Sequence, residues 1–371
     1  MKHNDSAIRG PAPLHSIQAL RGLSALWVVL FHAQILQGSS ASVALNQFAG
    51  FGYLGVDIFF VISGFIMAMT TAQLPSGWRT ARQFSVLRML RIYSGAWPVL
   101  GLCLIGITWS SGWPSDKHLW SSWFLTSLNI DTLLLPVTWT LTFELYFYLW
   151  IAVTLLLPAQ RRPMMIAALA ALVCALNLYW FSHNRYHPDA LDISHWGMYL
   201  FSSPLCLEFL MGYGCYSLLQ RTQISWRWWL AATLASGILV WVYATYFSPH
   251  PSGLTGFFHY PERAVLAGFF ALSLLCLFIR VQTALPRRLS LWAGDISYML
   301  YLVHLPVMWC FNTWHIGQTS TTRQLWTVLG CLVAASALHY LLEKPLYTRC
   351  RRLLQLQPQP RHTSSAYNHG I

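Results

Sequence analysis

Charge is scarce in this 371-residue chain. Only 9% of its residues are Asp, Glu, Lys or Arg, while 56% are hydrophobic. A soluble globular domain usually carries about 25% charged residues. A soluble fold would have to hide several apolar runs of about 18 residues or more, each long enough to span a bilayer. Acidic residues are the scarcer sign: 11 Asp and Glu stand against 23 Lys and Arg, for a net charge of +12. In a soluble protein that balance suggests a nucleic-acid partner, but the placement of the basic residues assigns them otherwise. The eight cysteines form no CxxC pair, and six (Cys103, Cys174, Cys206, Cys276, Cys310, Cys331) sit in apolar runs. There a small buried hydrophobe is expected, so neither a disulfide framework nor a metal site has support. No small-residue cleavage site follows the first apolar run, so the start does not read as a signal peptide. No internal repeat is evident, which disfavours a secondary transporter.

What is abundant is aromatic and aliphatic: 19 Trp, 17 Tyr and 20 Phe. The expectation is an all-α polytopic bundle. Ten spans of bilayer-crossing length are read, at 17–36, 51–72, 91–109, 138–157, 163–182, 196–219, 228–247, 261–280, 291–314 and 324–343. Gly95, Pro98, Gly101 and Gly106 interrupt the third, and 119–130 is too short to cross. With a cytoplasmic N-terminus, 18 of the 23 Lys and Arg fall on the inside. Four (Lys117, Arg185, Arg263, Arg323) fall outside, and Arg21 lies within the first span. That asymmetry is the positive-inside pattern and places both termini in the cytoplasm. Most basic residues then set topology and meet anionic lipid, with no nucleic-acid partner. Residues 1–16 read as a cytoplasmic segment, 17–343 as the membrane domain and 344–371 as a basic, partly disordered cytoplasmic tail.

Ionisable side chains inside membrane spans are costly and mark function. Here they are Arg21, His32, Asp57, Glu144, Glu208, Asp295 and His304. Arg21 and His32, eleven residues apart, share a helix face about 16 Å apart along the axis. Arg21 fits an interfacial snorkelling arginine as well as a functional one, and His32 fits a structural histidine as well as a base. Asp57 and Glu144 each lie about six residues into spans that start outside, at the depth of His32. A histidine beside carboxylates has the composition of a general-base site. The same acids also fit polar packing or, for Asp57, a helix N-terminus. Arg88 and Arg91, at i, i+3 with Arg79 and Arg82 nearby, offer guanidinium forks suited to phosphate, or simply topology-setting charge. Asp295 fits a helix cap or a donor contact, and His304 reads as structural.

Several stretches carry a resemblance. IQALRGLSALWVVLFH (17–32) resembles the opening helix of the acyltransferase-3 family of bacterial membrane proteins. GYLGVDIFFVISGFIM (52–67) is similar to that family's second-helix signature, and RMLRIY (88–93) looks like its RxxR element. TWTLTFELYFY (138–148), AGDISYMLYLVHLPV (293–307) and EKP (343–345) resemble its later segments, in the family's order. IQALRG and GVDIFFVISGFIM look most like the exopolysaccharide-modifying branch. Ser94 stands where the family commonly has Pro, Phe143 where many members have a second Glu, and no hydrolase-like domain follows.

The resemblance implies transfer of an acyl group, usually acetyl, from acetyl-CoA as co-substrate to a sugar hydroxyl of an envelope or secreted glycan. It implies a bacterial inner-membrane location, and activity that needs Arg21, His32, Arg88 and Arg91. On this reading Arg82, Arg88, Arg91 and Arg21 hold acyl-CoA. His32 is base or acyl carrier, with Glu144 or Asp57 orienting it. Ser63, Tyr298 or Tyr301 donates to the developing oxyanion. The alternative is a flippase for a lipid-linked glycan with the buried acids and histidines as a proton relay.

Overall fold

The computed structural model describes residues 15–38, 42–182, 200, 203–247, 260–281, 284–314 and 319–354. Among these no strand occurs, and the elements are helices. They are α1 (His15–Gln37), α2 (Val43–Gly50), α3 (Leu54–Thr71), α4 (Trp78–Ser111), α5 (Leu119–Phe124), α6 (Trp139–Thr154), α7 (Arg162–Ser182), α8 (Leu205–Arg221), α9 (Trp226–Val242), α10 (Pro261–Arg280), α11 (Arg287–Thr313), α12 (Ser320–Leu338) and α13 (Lys344–Leu353). Each of the ten expected spans overlaps one helix. Among the described residues, seven helical stretches are long and apolar enough to cross a membrane. Of the remainder, α6 and α8 have 16 and 17 residues. The sequence reads outer loops at 183–195 and 248–260; all of the first, all of the second but Tyr260, and the tail beyond 354 lie outside the described residues.

Two boundaries differ from the sequence reading. The third span begins thirteen residues earlier: α4 runs unbroken for 34 residues through Pro98 and the glycines, so Arg82 and Arg88 stand on the same helix as Arg91. The stretch at 119–130 contributes only α5, which α4 holds in place. Tyr93 donates to the Phe124 carbonyl and Trp97 to the Trp123 carbonyl, each at 3.0 Å. The eight cysteines are free thiols; Cys174 and Cys310 are exposed on helix flanks rather than buried.

Helix association in lipid lacks a hydrophobic drive and relies on close packing at small residues. Glycines mark the tightest contacts. Gly22 of α1 lies against Ala293 of α11, and Gly294 of α11 against Gln18 of α1. Gly64 of α3 faces the Phe209 carbonyl of α8, and Gly212 of α8 faces Val61 of α3. A Cβ at any of them would collide with the neighbouring helix, and at Gly64, Gly212 and Gly294 with its backbone. Because 18 meets 294 and His32 meets His304, α1 and α11 run in the same direction. Arginines close the helix ends. Arg162, 4% exposed, donates to the carbonyls of Thr71 and Leu74 at 3.0 and 2.9 Å. Arg280 donates to Thr222 at 2.8 Å. Some residues read as topology signals thus also satisfy orphaned carbonyls.

Candidate active site

One cavity collects residues from α1, α3, α4, α6 and α11. Its basic end is lined by Arg21, Arg88 and Arg91 with Glu144, and its apolar wall by Phe59, Ile62, Ile66 and Met67. The i, i+3 spacing of Arg88 and Arg91 turns both toward the cavity, where α1 and α6 add Arg21 and Glu144. Neutral groups hold two of the arginines. Arg21 donates to the Gln18 side chain at 3.0 Å, and Arg88 to the Thr70 hydroxyl at 3.2 Å. The Arg88 guanidinium also lies over the Phe84 and Tyr148 rings at 5.5 and 5.7 Å, within cation–π range.

Arg91 has an anionic partner. Its Nη1 donates to Glu343 Oε1 at 2.5 Å, and the opposite oxygen, Oε2, lies 2.7 Å from His339 Nδ1. Glu343 and His339 bracket one turn of π-helix, His339–Glu343, between α12 and α13. Such a turn inserts an extra residue and re-aims side chains, often at functional sites. Here it leaves Glu343 fully buried against Arg91. EKP was legible as a motif; that its acid clamps Arg91 was not, because 252 residues separate them.

Several expected roles are corrected. Asp57 does not serve His32: Arg263 Nη1 and Nη2 donate to its two oxygens at 2.5 and 2.6 Å. Both are buried, with Glu208 Oε1 3.8 Å from Arg263. Arg263, counted as an outer-end residue, is 3% exposed within α10. A carboxylate gripped by a guanidinium fork is already satisfied. Glu144 faces the arginine cavity and accepts a short hydrogen bond from Tyr148. Tyr298 and Tyr301 line the cavity, but each hydroxyl has one proton and a carbonyl to take it: Ile92 at 2.7 Å and Val137 at 3.0 Å. Neither is a ready oxyanion donor. Ser63 lines the cavity with its Oγ buried and unpartnered among the described residues. Arg82 is exposed and Asp295 half-buried, and neither lines the cavity.

The partner of His32 is another histidine. His32 Nδ1 lies 3.0 Å from the Val28 carbonyl and 3.2 Å from Nε2 of His304. His304 is fully buried, and its Nδ1 lies 2.7 Å from the Tyr301 carbonyl. The pair lies just beyond the cavity lining, next to Tyr301, whose ring centre is 5.9 Å from that of His304. Both histidines were legible as intramembrane polar residues; their meeting depends on the α1–α11 register.

A helical membrane protein with a basic, partly apolar internal cavity beside a histidine pair is the class that this geometry defines. An acyltransferase domain profile matches residues 14–341, so the chain belongs to the acyltransferase-3 family of membrane acyltransferases. It is 27% identical over 340 residues to the exopolysaccharide production protein ExoZ of Rhizobium meliloti, covering 87% of this chain and 96% of that one. It is 26% identical over 327 residues to nodulation protein 10 of Rhizobium leguminosarum bv. viciae, covering 78% and 81%. A segment of 183 residues is 30% identical to BcsY of Komagataeibacter xylinus, named as a membrane-bound transacylase, but spans only 43% of each chain. No solved structure matches.

Proposed function

We propose that this acyltransferase moves an acetyl group from acetyl-CoA to a sugar hydroxyl of a secreted or envelope polysaccharide. The observation that carries the reading is the convergence of Arg21, Arg88 and Arg91 on one cavity with an apolar wall. Three guanidinium groups against one lining carboxylate suit a polyanion, and planar forks suit phosphate oxygens. The phosphates of CoA would occupy the basic end, with the pantetheine arm along the apolar wall and the thioester past Tyr301, beside His32.

In the reaction the sugar hydroxyl attacks the thioester carbonyl. A C–O bond forms, the C–S bond breaks, and the hydroxyl proton passes to His32 and then to the departing thiolate. A positioned base of this kind contributes about 10²- to 10⁴-fold. A second route has His32 itself accept the acyl group before the sugar does. Arg21, Arg88 and Arg91 bind the donor, Arg91 steadied from behind by Glu343; Glu144 sits among the cations and offsets part of their charge.

Ten crossings with both termini cytoplasmic, in a bacterial inner membrane, fit this path. The basic end then opens to the CoA side, and odd-numbered spans such as α1 and α11 run the same way. The membrane domain is residues 17–343.

The test is CoA release from acetyl-CoA by membranes holding the protein, with a crude polysaccharide from the producing cells as acceptor. Release that falls at least about 10²-fold in His32→Ala at equal abundance supports the reading. Equal release by the variant removes His32 from the chemistry. No release by either protein, with transport of a labelled lipid-linked glycan intact, turns the reading to a flippase.

A further inference from the structure

The base assignment leaves open which nitrogen of His32 reacts and what holds the ring. Two backbone carbonyls answer the first point. A carbonyl oxygen only accepts, so the Tyr301 carbonyl at 2.7 Å requires the proton of His304 to sit on Nδ1. The neutral ring then presents a lone pair at Nε2. At the other end, the Val28 carbonyl 3.0 Å from His32 Nδ1 likewise requires a proton on that nitrogen. The one N–H of His32 therefore faces two acceptors, the Val28 carbonyl and, at 3.2 Å, the Nε2 lone pair of His304. The reverse arrangement would set His32 and His304 lone pairs against carbonyl lone pairs. His32 Nε2 is left unprotonated, as the nitrogen able to take a proton.

The Val28 carbonyl belongs to α1 itself and moves with it. His304 is the anchor from outside: it stands on α11, is fully buried, and has both ring nitrogens placed. A carboxylate commonly orients a catalytic histidine. Here Asp57 is gripped by Arg263 and Glu144 is engaged with Tyr148. We propose that His304 is the positioning residue of the reaction: its Nε2 accepts from His32 Nδ1–H and holds the ring with Nε2 free to take the hydroxyl proton. A neutral imidazole replaces the usual acid, and the positive charge formed on His32 is shared through that hydrogen bond. This inference rests on His32 being the base.

The test compares His304→Leu with His304→Gln, whose side-chain carbonyl places an acceptor near the lost Nε2. Turnover is measured as CoA release from acetyl-CoA in membranes with the crude polysaccharide, normalised to folded protein, with thermal unfolding followed in parallel. The expected result is a fall of about 10²-fold in kcat for His304→Leu, with the KM for acetyl-CoA changed less than threefold. His304→Gln is expected to recover at least tenfold of that loss. Wild-type kcat in His304→Leu overturns the proposal. So do two variants equally slow per folded molecule, because a packing role does not distinguish Leu from Gln by the acceptor. If His304→Leu does not fold, the Gln variant decides alone: it must hold kcat within about tenfold of wild type. His32→Ala is run alongside. If it remains active, the base reading has failed; if it is inactive while His304→Leu turns over normally, only the positioning role has failed.

Discussion

Two clusters of buried charge stand in the same helical bundle and behave oppositely. On α3, α8 and α10, Asp57, Glu208 and Arg263 close on one another, with Arg263 spanning both oxygens of Asp57 and none of the three lining the arginine cavity. On α1, α4 and α6, Arg21 and Arg88 rest on a glutamine, a threonine and two aromatic faces, and they open on a cavity. The first cluster neutralises a guanidinium with carboxylates inside the fold. The second leaves cationic forks with donors to spare. In this bundle the Asp57–Arg263 fork ties α3 to α10, while the arginines that face the cavity keep donors for a ligand.

The largest expected effect tests the closed cluster. Asp57→Asn leaves Arg263 without its bidentate partner, and breaking a buried pair from one side costs about 3–5 kcal/mol. Thermal unfolding in detergent should show that loss as a lower midpoint and lower abundance. The CoA-release rate per folded molecule should stay within about threefold of wild type. A folded Asp57→Asn protein with lost turnover would move Asp57 back beside the chemistry and erase the contrast. The open cluster should respond the other way. Arg88→Gln keeps a hydrogen bond to Thr70 but loses a charge-assisted contact, worth about 1.5–3 kcal/mol. The KM for acetyl-CoA should rise about tenfold or more, with the unfolding midpoint nearly unchanged; a variant that unfolds early at unaltered KM would make Arg88 structural. The smallest effect belongs to Ser63. Its Oγ lines the cavity without a partner among the described residues, so Ser63→Ala breaks no hydrogen bond there and should not lower the unfolding midpoint. Any change in turnover by that variant then reports a contact with substrate, and an unchanged rate removes Ser63 from the site.

The histidines show where the sequence stops being readable. His32 and His304 both stood out as polar groups in apolar runs, and depth alone placed His32 level with Asp57 and Glu144. Depth says nothing of rotation. On α3, Asp57 points away from the arginine cavity toward α10, while Ser63, six residues on, lines it. The Arg91–Glu343 contact was equally hidden, since a π-turn shifts the face on which Glu343 emerges. A side chain's partner depends on helix rotation and on such one-residue irregularities, which hydropathy averages away.

Hydropathy, motif order and the uneven placement of lysine and arginine belong to the chain read alone. Each reports the exchange of a segment between water and lipid, a property of the segment by itself. They gave the helical class, the candidate spans and the family resemblance. Which base meets which acid, and which histidine holds which, belongs to the packed bundle. There glycine contacts such as Gly22 on Ala293 set the α1–α11 register, and a shift of a few ångströms would part His32 from His304. Hydrogen bonds reach only about 3 Å, so they record the final placement of helices and not the sequence that names their residues.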